Sequence, residues 1–448
     1  MAPRRRWRGA MRELVRNALR RVRSPILREF SWLSGSNQLS GLFSLATVLV
    51  LARTEPVDTV GRVFFAQAVA GVVMLFLDVR FEDAIQRYFP IELAAGGDPV
   101  GFFWRVVKLD AVFGAFVAAL VGAVWLLDLI PSSQTSVPGF VAIALLSSAV
   151  ATSVGSLNAG FAVAGRLESL ARLTIGLSFS NAVLMVIGAI VGGGRGFLLG
   201  SLFGTIVQVA GLFLAVRVRM RPSTKNGPVP RPLPAGLGKF LLKSSLASSV
   251  AIGSESGVLT LAGVFGSPSL VAFLRVAQAP YRLVMSVFSP IAVQAFPLLT
   301  RLSVRGDGDG IRTLTIRTTT VVLQIGLIVC LLVLPLMGFA LETFFGPQYR
   351  SAFLAASLLT VAAVLRSAVA WSKVLPLAIG RPGLRLMMVS GESVLILGAT
   401  ALVAVGVSSS EDAAAAIGGA NLIVALSLLV FWTSMVRTQN LVRSGVDV

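Results

Sequence analysis

Residues 172–216 read RLTIGLSFSNAVLMVIGAIVGGGRGFLLGSLFGTIVQVAGLFLAV. The flanks of the GGGRG run at 192–196 are almost wholly apolar. Each is close to the ~20 residues that an α-helix needs to cross the hydrocarbon core of a bilayer. The glycines do not fit the dinucleotide-binding fingerprint. They predict instead a tight hairpin between two spans, 172–192 and 196–216, that returns the chain to the side it left.

Apolar runs of the same length recur in both directions. They predict spans at 31–51, 61–80, 102–127 and 139–161 before the hairpin, and at 243–263, 269–297, 315–339, 352–379, 384–406 and 413–436 after it. The 448 residues are 55% hydrophobic and only 13% charged, with a mean hydropathy of +0.84. A soluble chain of this length would need far more polar surface to cover its core. The expected fold class is an all-α polytopic membrane protein of about twelve transmembrane helices.

Between the two groups of spans lies RVRMRPSTKNGPVPRPLPAGLGKFLLKSS, beginning at residue 217 and rich in proline, glycine and cations. It divides the chain into a basic N-terminal segment (1–30), an N-terminal six-helix lobe (31–216), a linker (217–242), a C-terminal six-helix lobe (243–436) and a tail (437–448). Internal likeness supports a duplication. Gly165-Arg166 closes the fourth span as Gly380-Arg381 closes the tenth, with Gly204 and Gly419 following at equal distances. Six spans per copy gives both copies one orientation, and pseudo-symmetric transporters of that kind place their cargo site between the lobes.

The net charge of +19 comes from 39 Lys and Arg against 20 Asp and Glu. Most of the cations sit in segments 1–30, 80–108, 165–172, 217–243, 301–317 and 380–385 and in the tail, every second connection of the span map. The alternate connections carry Arg53, Arg62, Arg195 and Arg350 beside Glu55, Asp58, Asp128, Glu342, Glu411 and Asp412. The positive-inside rule then expects both termini in the cytoplasm, and the expected location of the spans is the plasma (inner) membrane. That rule also accounts for the charge without nucleic acid, since no basic domain with interleaved aromatics stands outside the spans. The first thirty residues, MAPRRRWRGAMRELVRNALRRVRSPILREF, have no apolar core and are no cleavable signal peptide. Trp7, Met11, Leu14, Val15, Ala18, Leu19 and Val22 form one stripe among arginines, expected to lie as an amphipathic helix on anionic membrane lipids.

Several chemistries are excluded or unsupported. With no histidine and one cysteine, Cys330, the chain can form neither an internal disulfide nor a Cys/His metal site, nor a Ser-His-Asp triad. It has no Walker motif. RGDGDGIR at 305–312 lacks the downstream glutamate of a calcium loop and reads as a cytoplasmic turn. No enzyme activity, cofactor or metal is expected.

What remains is charge inside the spans. In AFLRVAQAPYRLVMSVFSP (272–290), Arg275 and Arg282 lie seven residues apart with Gln278 between them, one face of one helix. Arg366 and Lys373 repeat that spacing in the tenth span. A guanidinium in mid-bilayer costs at least ~2.5–3.5 kcal/mol, so the four cations are expected to form a ladder lining a watered path. The acids within spans are Asp110, Glu255 and Glu392. Glu255 paired with Arg282, and Glu392 with Lys373, would be the purely structural alternative. Arginine suits phosphate through its bidentate fork. Arg275, Gln278, Arg282, Arg366 and Lys373, with Arg53 at an outer loop, are therefore the expected binding residues for an anionic cargo. Glu255 is the first candidate for a coupling carboxylate and Glu392 the second. Pro280, Pro290 and Pro297 predict a kinked or broken eighth helix.

LVLARTEPVDTVGRVFFAQAVAGVVMLFLDVRFEDAIQRYFP (49–90), NAGFAVAGRLESLARL (158–173) and FFGPQYRSAFLAASLL (344–359) together resemble the Wzx-type polysaccharide flippases of the multidrug/oligosaccharidyl-lipid/polysaccharide (MOP) exporter superfamily. VAFLRVAQAP (271–280) also resembles the eighth span of the lipid II flippase family, whose central-cavity arginine corresponds to Arg275. The resemblance implies a V-shaped pair of bundles with alternating access. It implies as cargo a polyprenyl-pyrophosphate-linked oligosaccharide moved from inner to outer leaflet, and glycosyltransferases and a polysaccharide polymerase as partners. Twelve spans rather than fourteen argue against lipid II itself. The long arginine-rich N-terminus and Arg282 depart from the family pattern. A multidrug antiporter of the same superfold is the alternative, although the first span lacks a carboxylate and the cations repel cationic drugs. A membrane scaffold for glycan assembly is a third reading.

Overall fold

The computed structural model describes residues 25–77, 79–94, 96–126, 138–220, 237–379 and 381–437. The arginine-rich stripe before Pro25, the linker between 220 and 237, and the tail from 438 lie outside the described residues. The described residues are almost entirely helical and contain no strand.

In chain order the helices are α1 (Pro25–Thr54), α2 (Val57–Leu77), α3 (Phe81–Ala94), α4 (Pro99–Leu126), α5 (Pro138–Val163), α6 (Leu167–Arg219), α7 (Leu237–Phe265), α8 (Pro268–Val304), α9 (Gly308–Val333), α10 (Met337–Phe345), α11 (Phe353–Ala368), α12 (Leu375–Ala378), α13 (Pro382–Gly406) and α14 (Ser410–Arg437). Ten helical stretches among the described residues are long and apolar enough to cross a membrane. One of these is α6, which at ~1.5 Å per residue would be near 80 Å if straight, against a core of ~30 Å. It is not straight. Gly192 (φ −132°, ψ 17°) and Gly193 (φ 57°, ψ −143°) leave the helical region, and Gly193 adopts the left-handed backbone that glycine alone takes readily.

The two halves of α6 then run back along each other, as the GGGRG run predicts. A Cβ built on Gly200 would meet the backbone of Leu184 and Met185, one on Gly196 the carbonyl of Gly188, and one on Gly204 the side chain of Asn181. These glycines allow backbone-to-backbone contact. The apolar end of α7, Ser256–Phe265, is the remaining segment of the twelve-span map. Large apolar side chains point outward along the helices: Phe179, Ile190 and Phe203 on α6, Leu331 and Leu332 on α9, Leu402 and Val405 on α13. A belt of this extent needs lipid, not water, around it.

Three local readings change. Segment 80–108 is not a simple loop, because Phe81, Ala84, Ile85 and Phe89 bury one face of α3 against α4 and α5. Glu82 and Asp83 occupy its first turn, where the helix dipole favours acids. Helix α8 runs unbroken through Pro280, Pro290 and Pro297. The tenth span, in contrast, is interrupted: Val369 (φ −109°, ψ 22°) ends α11, and Ala370–Lys373 form a separate 3₁₀ turn.

Helices α1, α2, α4, α5 and α6 pack among themselves, as do α8, α9, α11 and α14, with α13 joining α7 and α14. The two groups meet where α2 lies along α7 and α8. Small residues permit this contact. A Cβ on Gly71 would meet the Ser256 hydroxyl at 2.7 Å, and one on Gly263 would strike the ring of Phe65. The largest apolar core spans this junction, with Val63, Phe64 and Ala66 of α2 beside Leu259 and Ala262 of α7 and Val271 and Leu274 of α8.

Candidate functional site

Helix α8 buries Ala272, Phe273, Leu274, Val276 and Ala277 almost completely. That packing fixes its rotation, and hence the direction of the polar residues between them. Arg275 lies with its guanidinium carbon 4.9 Å from the centroid of Phe64 on α2. A cation over an aromatic face in a site shielded from water is worth ~1–2 kcal/mol. Phe64 is itself held edge-on by Phe197 at 6.3 Å. Arg275 and Arg282 face α1 across a cleft of about 130 Å³, lined also by Gln38, Gly41, Ser44 and Ser286. Gln278 is 8% exposed, and its side-chain carbonyl has no hydrogen-bond partner among the described residues. A buried amide oxygen without a donor marks a place where a ligand or water is to be expected.

Arg366 faces a different space. Its guanidinium donates to the Tyr281 hydroxyl at 3.1 Å and to Asn421 Oδ1 at 3.4 Å, and it pairs with Glu392 at 3.2 Å. Both partners of that pair are mostly buried, at 13% and 22% exposure. A cleft of about 60 Å³ brings Tyr281, Arg366, Ser372, Lys373, Arg385 and Glu392 together with Trp432. The ion pair of Glu392 is thus with Arg366 rather than with Lys373. The helix breaks at Val369, so Arg366 and Lys373 do not share one helix, yet both line this cleft.

The four cations therefore form two groups. Arg275 and Arg282 look toward α1, whereas Arg366 and Lys373 line a space bounded by α8, α13 and α14. Tyr281, the neighbour of Arg282, reaches the second group from the other face of α8. The sequence reading missed Tyr281, Asn421 and Arg385. Asn421 is one of several polar residues in its span, and Arg385 lies in the 380–385 connection.

Arg53 stands apart from both clefts. At the end of α1 it donates from Nε to the Phe344 carbonyl at 2.8 Å and from Nη2 to the carbonyl of Thr343. Gln348 answers with an amide donation to Ala52 O at 3.0 Å. The last carbonyls of α10 lack intrahelical donors and carry the negative end of the helix dipole, so a guanidinium caps them well. A second tie joins the Ser269 hydroxyl to Asp58 at 2.8 Å. Asp110 is buried in the N-terminal half and accepts from the Ser156 hydroxyl. Glu255 falls on α7, but its side chain lies outside the described residues.

No protein-family model and no curated protein matches the chain. Solved structures do. The chain is similar to a multidrug resistance MATE family transporter of the MOP superfamily in its inward-facing conformation (TM-score 0.65, 15% identity, 89% of this chain and 95% of that one). A MOP superfamily transporter from Pyrococcus furiosus, whose reversed binding-pocket polarity suggests a different function for it, gives a TM-score of 0.64 at 16% identity over 93% and 96%. The MATE transporter of Vibrio cholerae in its bent form gives 0.58 at 16% identity over 93% and 98%. The fold is that of the MATE transporters, an all-helical multi-pass membrane architecture.

Proposed function

We propose that this chain is a flippase that carries an anionic, polyprenyl-pyrophosphate-linked oligosaccharide from the inner to the outer leaflet for cell-surface polysaccharide synthesis. The observation that carries the reading is the pair Arg275 and Arg282, both lining a cleft between α1 and α8 at the junction of the two helix groups. Two guanidiniums on one wall favour a diphosphate and repel a cationic drug. Arg366, Lys373 and Arg385 around Glu392 form a second cationic stop on the opposite side of α8, where the anion would be received as the clefts exchange access. Glu392 would act as the coupling carboxylate, releasing Arg366 when protonated or when cargo phosphate takes its place. Glu255 keeps that role as an alternative. The proposed setting is the plasma membrane with both termini cytoplasmic, beside glycosyltransferases and a polymerase.

The fold favours a second reading, multidrug antiport, because transporters of that activity share it. One experiment separates them. Purified protein in liposomes is given a fluorescent polyprenyl-pyrophosphate glycan in one assay and ethidium in another. Glycan translocation, lost in Arg275→Ala and Arg282→Ala at normal protein abundance, supports the flippase. Ethidium transport that survives both substitutions supports antiport.

A further inference from the structure

A large cavity belongs to neither arginine group. It is a crevice of about 1330 Å³ in the N-terminal half, walled by α4, α5 and the second half of α6. Pockets for drug-sized ligands measure ~300–1,000 Å³, so its capacity is that of a longer molecule. Its body is apolar, with Val150, Leu157, Ile206 and Val209 among its walls. Along α4 it reaches from Gly101 to Ala111, and along α6 from Ile206 to Val218. At ~1.5 Å per residue the two walls are about 15 and 18 Å, roughly half of the ~30 Å hydrocarbon thickness. The crevice has the depth of one leaflet.

Its mouth is charged and aromatic. Arg105, Lys108 and Arg217 line it with one acid, Asp98, and Asp98 is engaged in capping α4 through the Gly101 amide at 2.8 Å. Lys108 and Arg217 are exposed, so their long stems can cover apolar wall while the charges reach the interface. The Trp104 indole donates to the Met220 carbonyl at 3.0 Å and stacks edge-on with Phe213 at 5.7 Å, the placement that amphipathic rings take at headgroup depth. We infer that this crevice is a binding site for an anionic diacyl phospholipid, its chains between α4 and α6 and its phosphate among Arg105, Lys108 and Arg217. Charge complementarity selects an anionic headgroup, and the single-leaflet depth selects a membrane lipid over a longer polyprenyl chain.

Trp104 reports on the site. The protein is reconstituted with brominated phosphatidylglycerol or brominated phosphatidylcholine in an unbrominated background, and the Trp104 contribution is taken as the difference from Trp104→Phe. Half-maximal quenching by the anionic lipid is expected at a mole fraction about tenfold lower than by the zwitterionic one. Arg105→Gln/Lys108→Gln/Arg217→Gln should abolish that preference while quenching persists. If the triple variant does not fold, Lys108→Gln and Arg217→Gln singly, both at exposed positions, should each reduce the preference. Equal quenching by the two lipids would reduce the crevice to ordinary boundary lipid and overturn the inference. So would an absence of quenching, or displacement of the brominated lipid by undecaprenyl phosphate at lower mole fraction, which would give the crevice to the cargo.

Discussion

Arg366 and Glu392 show how this fold holds a buried charge and how costly it is to let that charge go. Arg366 has three partners on three helices: Tyr281 of α8, Asn421 of α14 and Glu392 of α13. Removing Glu392 alone leaves a largely buried guanidinium undercompensated, which is why breaking such a pair destabilises more than deleting both halves. Glu392→Ala and Arg366→Ala should each lower the unfolding midpoint in detergent. The double substitution should recover part of the loss, with a coupling of ~0.5–3 kcal/mol in the cycle. The same cycle on Arg282 and Glu392 should be additive, since those residues line different clefts. Additivity at 366–392 would show that the pair is not formed in solution. At this scale the sequence was partly legible. The cleft shared by Arg275 and Arg282 accords with their helical spacing, because α8 is continuous. Arg366 and Lys373 share a cleft but not one helix, because α11 ends at Val369 without a glycine or proline there to announce it. Partners such as Tyr281 and Asn421 are set by tertiary packing, which no local pattern encodes.

Among the elements, the glycine hairpin of α6 was the most legible, and it gives the cleanest test of packing. Gly192 opens the turn with no atom within 4 Å of a built Cβ, whereas at Gly200 a Cβ would meet the Leu184–Met185 backbone. Gly192→Ala should therefore leave membrane abundance unchanged. Gly200→Val should lower it sharply, because backbone cannot step aside as a side chain can, and overpacking of this kind typically costs ~1–3 kcal/mol or more. Abundance by quantitative immunoblot and melting in detergent would check both. Equal tolerance at the two positions would mean that the halves of α6 do not touch as described. Helix α3 was the least legible element. Its apolar stripe is one residue in three or four within a charge-rich stretch, and such a stretch reads as a connection until α4 and α5 are seen beneath it. Its fit depends on a neighbour: a Cβ on Gly155 of α5 would lie 2.9 Å from the Glu82 carboxylate.

The whole molecule must change shape if it moves cargo, and the ties between its two helix groups mark where. Arg53 on the end of α10, Gln348 on Ala52 and Ser269 on Asp58 lie at the same end of α1, α2 and α8. Arg53→Ala should raise the population opened at that end a few-fold, the size expected for one exposed charged contact. Spin labels at Thr54→Cys and Ser351→Cys in a Cys330→Ala background would report it as a longer distance between α1 and the turn before α11. An unchanged distribution would make the clasp a passive contact. The direction of transport carries its own signature under the proposed function. A cargo with net negative charge leaving a cell whose interior is negative gains ~2.3 kcal/mol per charge for each 100 mV it crosses. In right-side-out vesicles, an inside-negative potential should accelerate outward flipping of the labelled glycan lipid several-fold, and a reversed potential should slow it. If Glu392 couples proton exchange to release of Arg366, Glu392→Gln should remove the response to an imposed pH gradient while keeping the response to voltage, because the cargo's charge is untouched. Loss of both responses together would place the voltage-sensing charge on Glu392 rather than on the cargo. Retention of both would leave Glu392 as a fixed counter-ion of Arg366 and return the coupling role to Glu255, where Glu255→Gln would be the next substitution to measure.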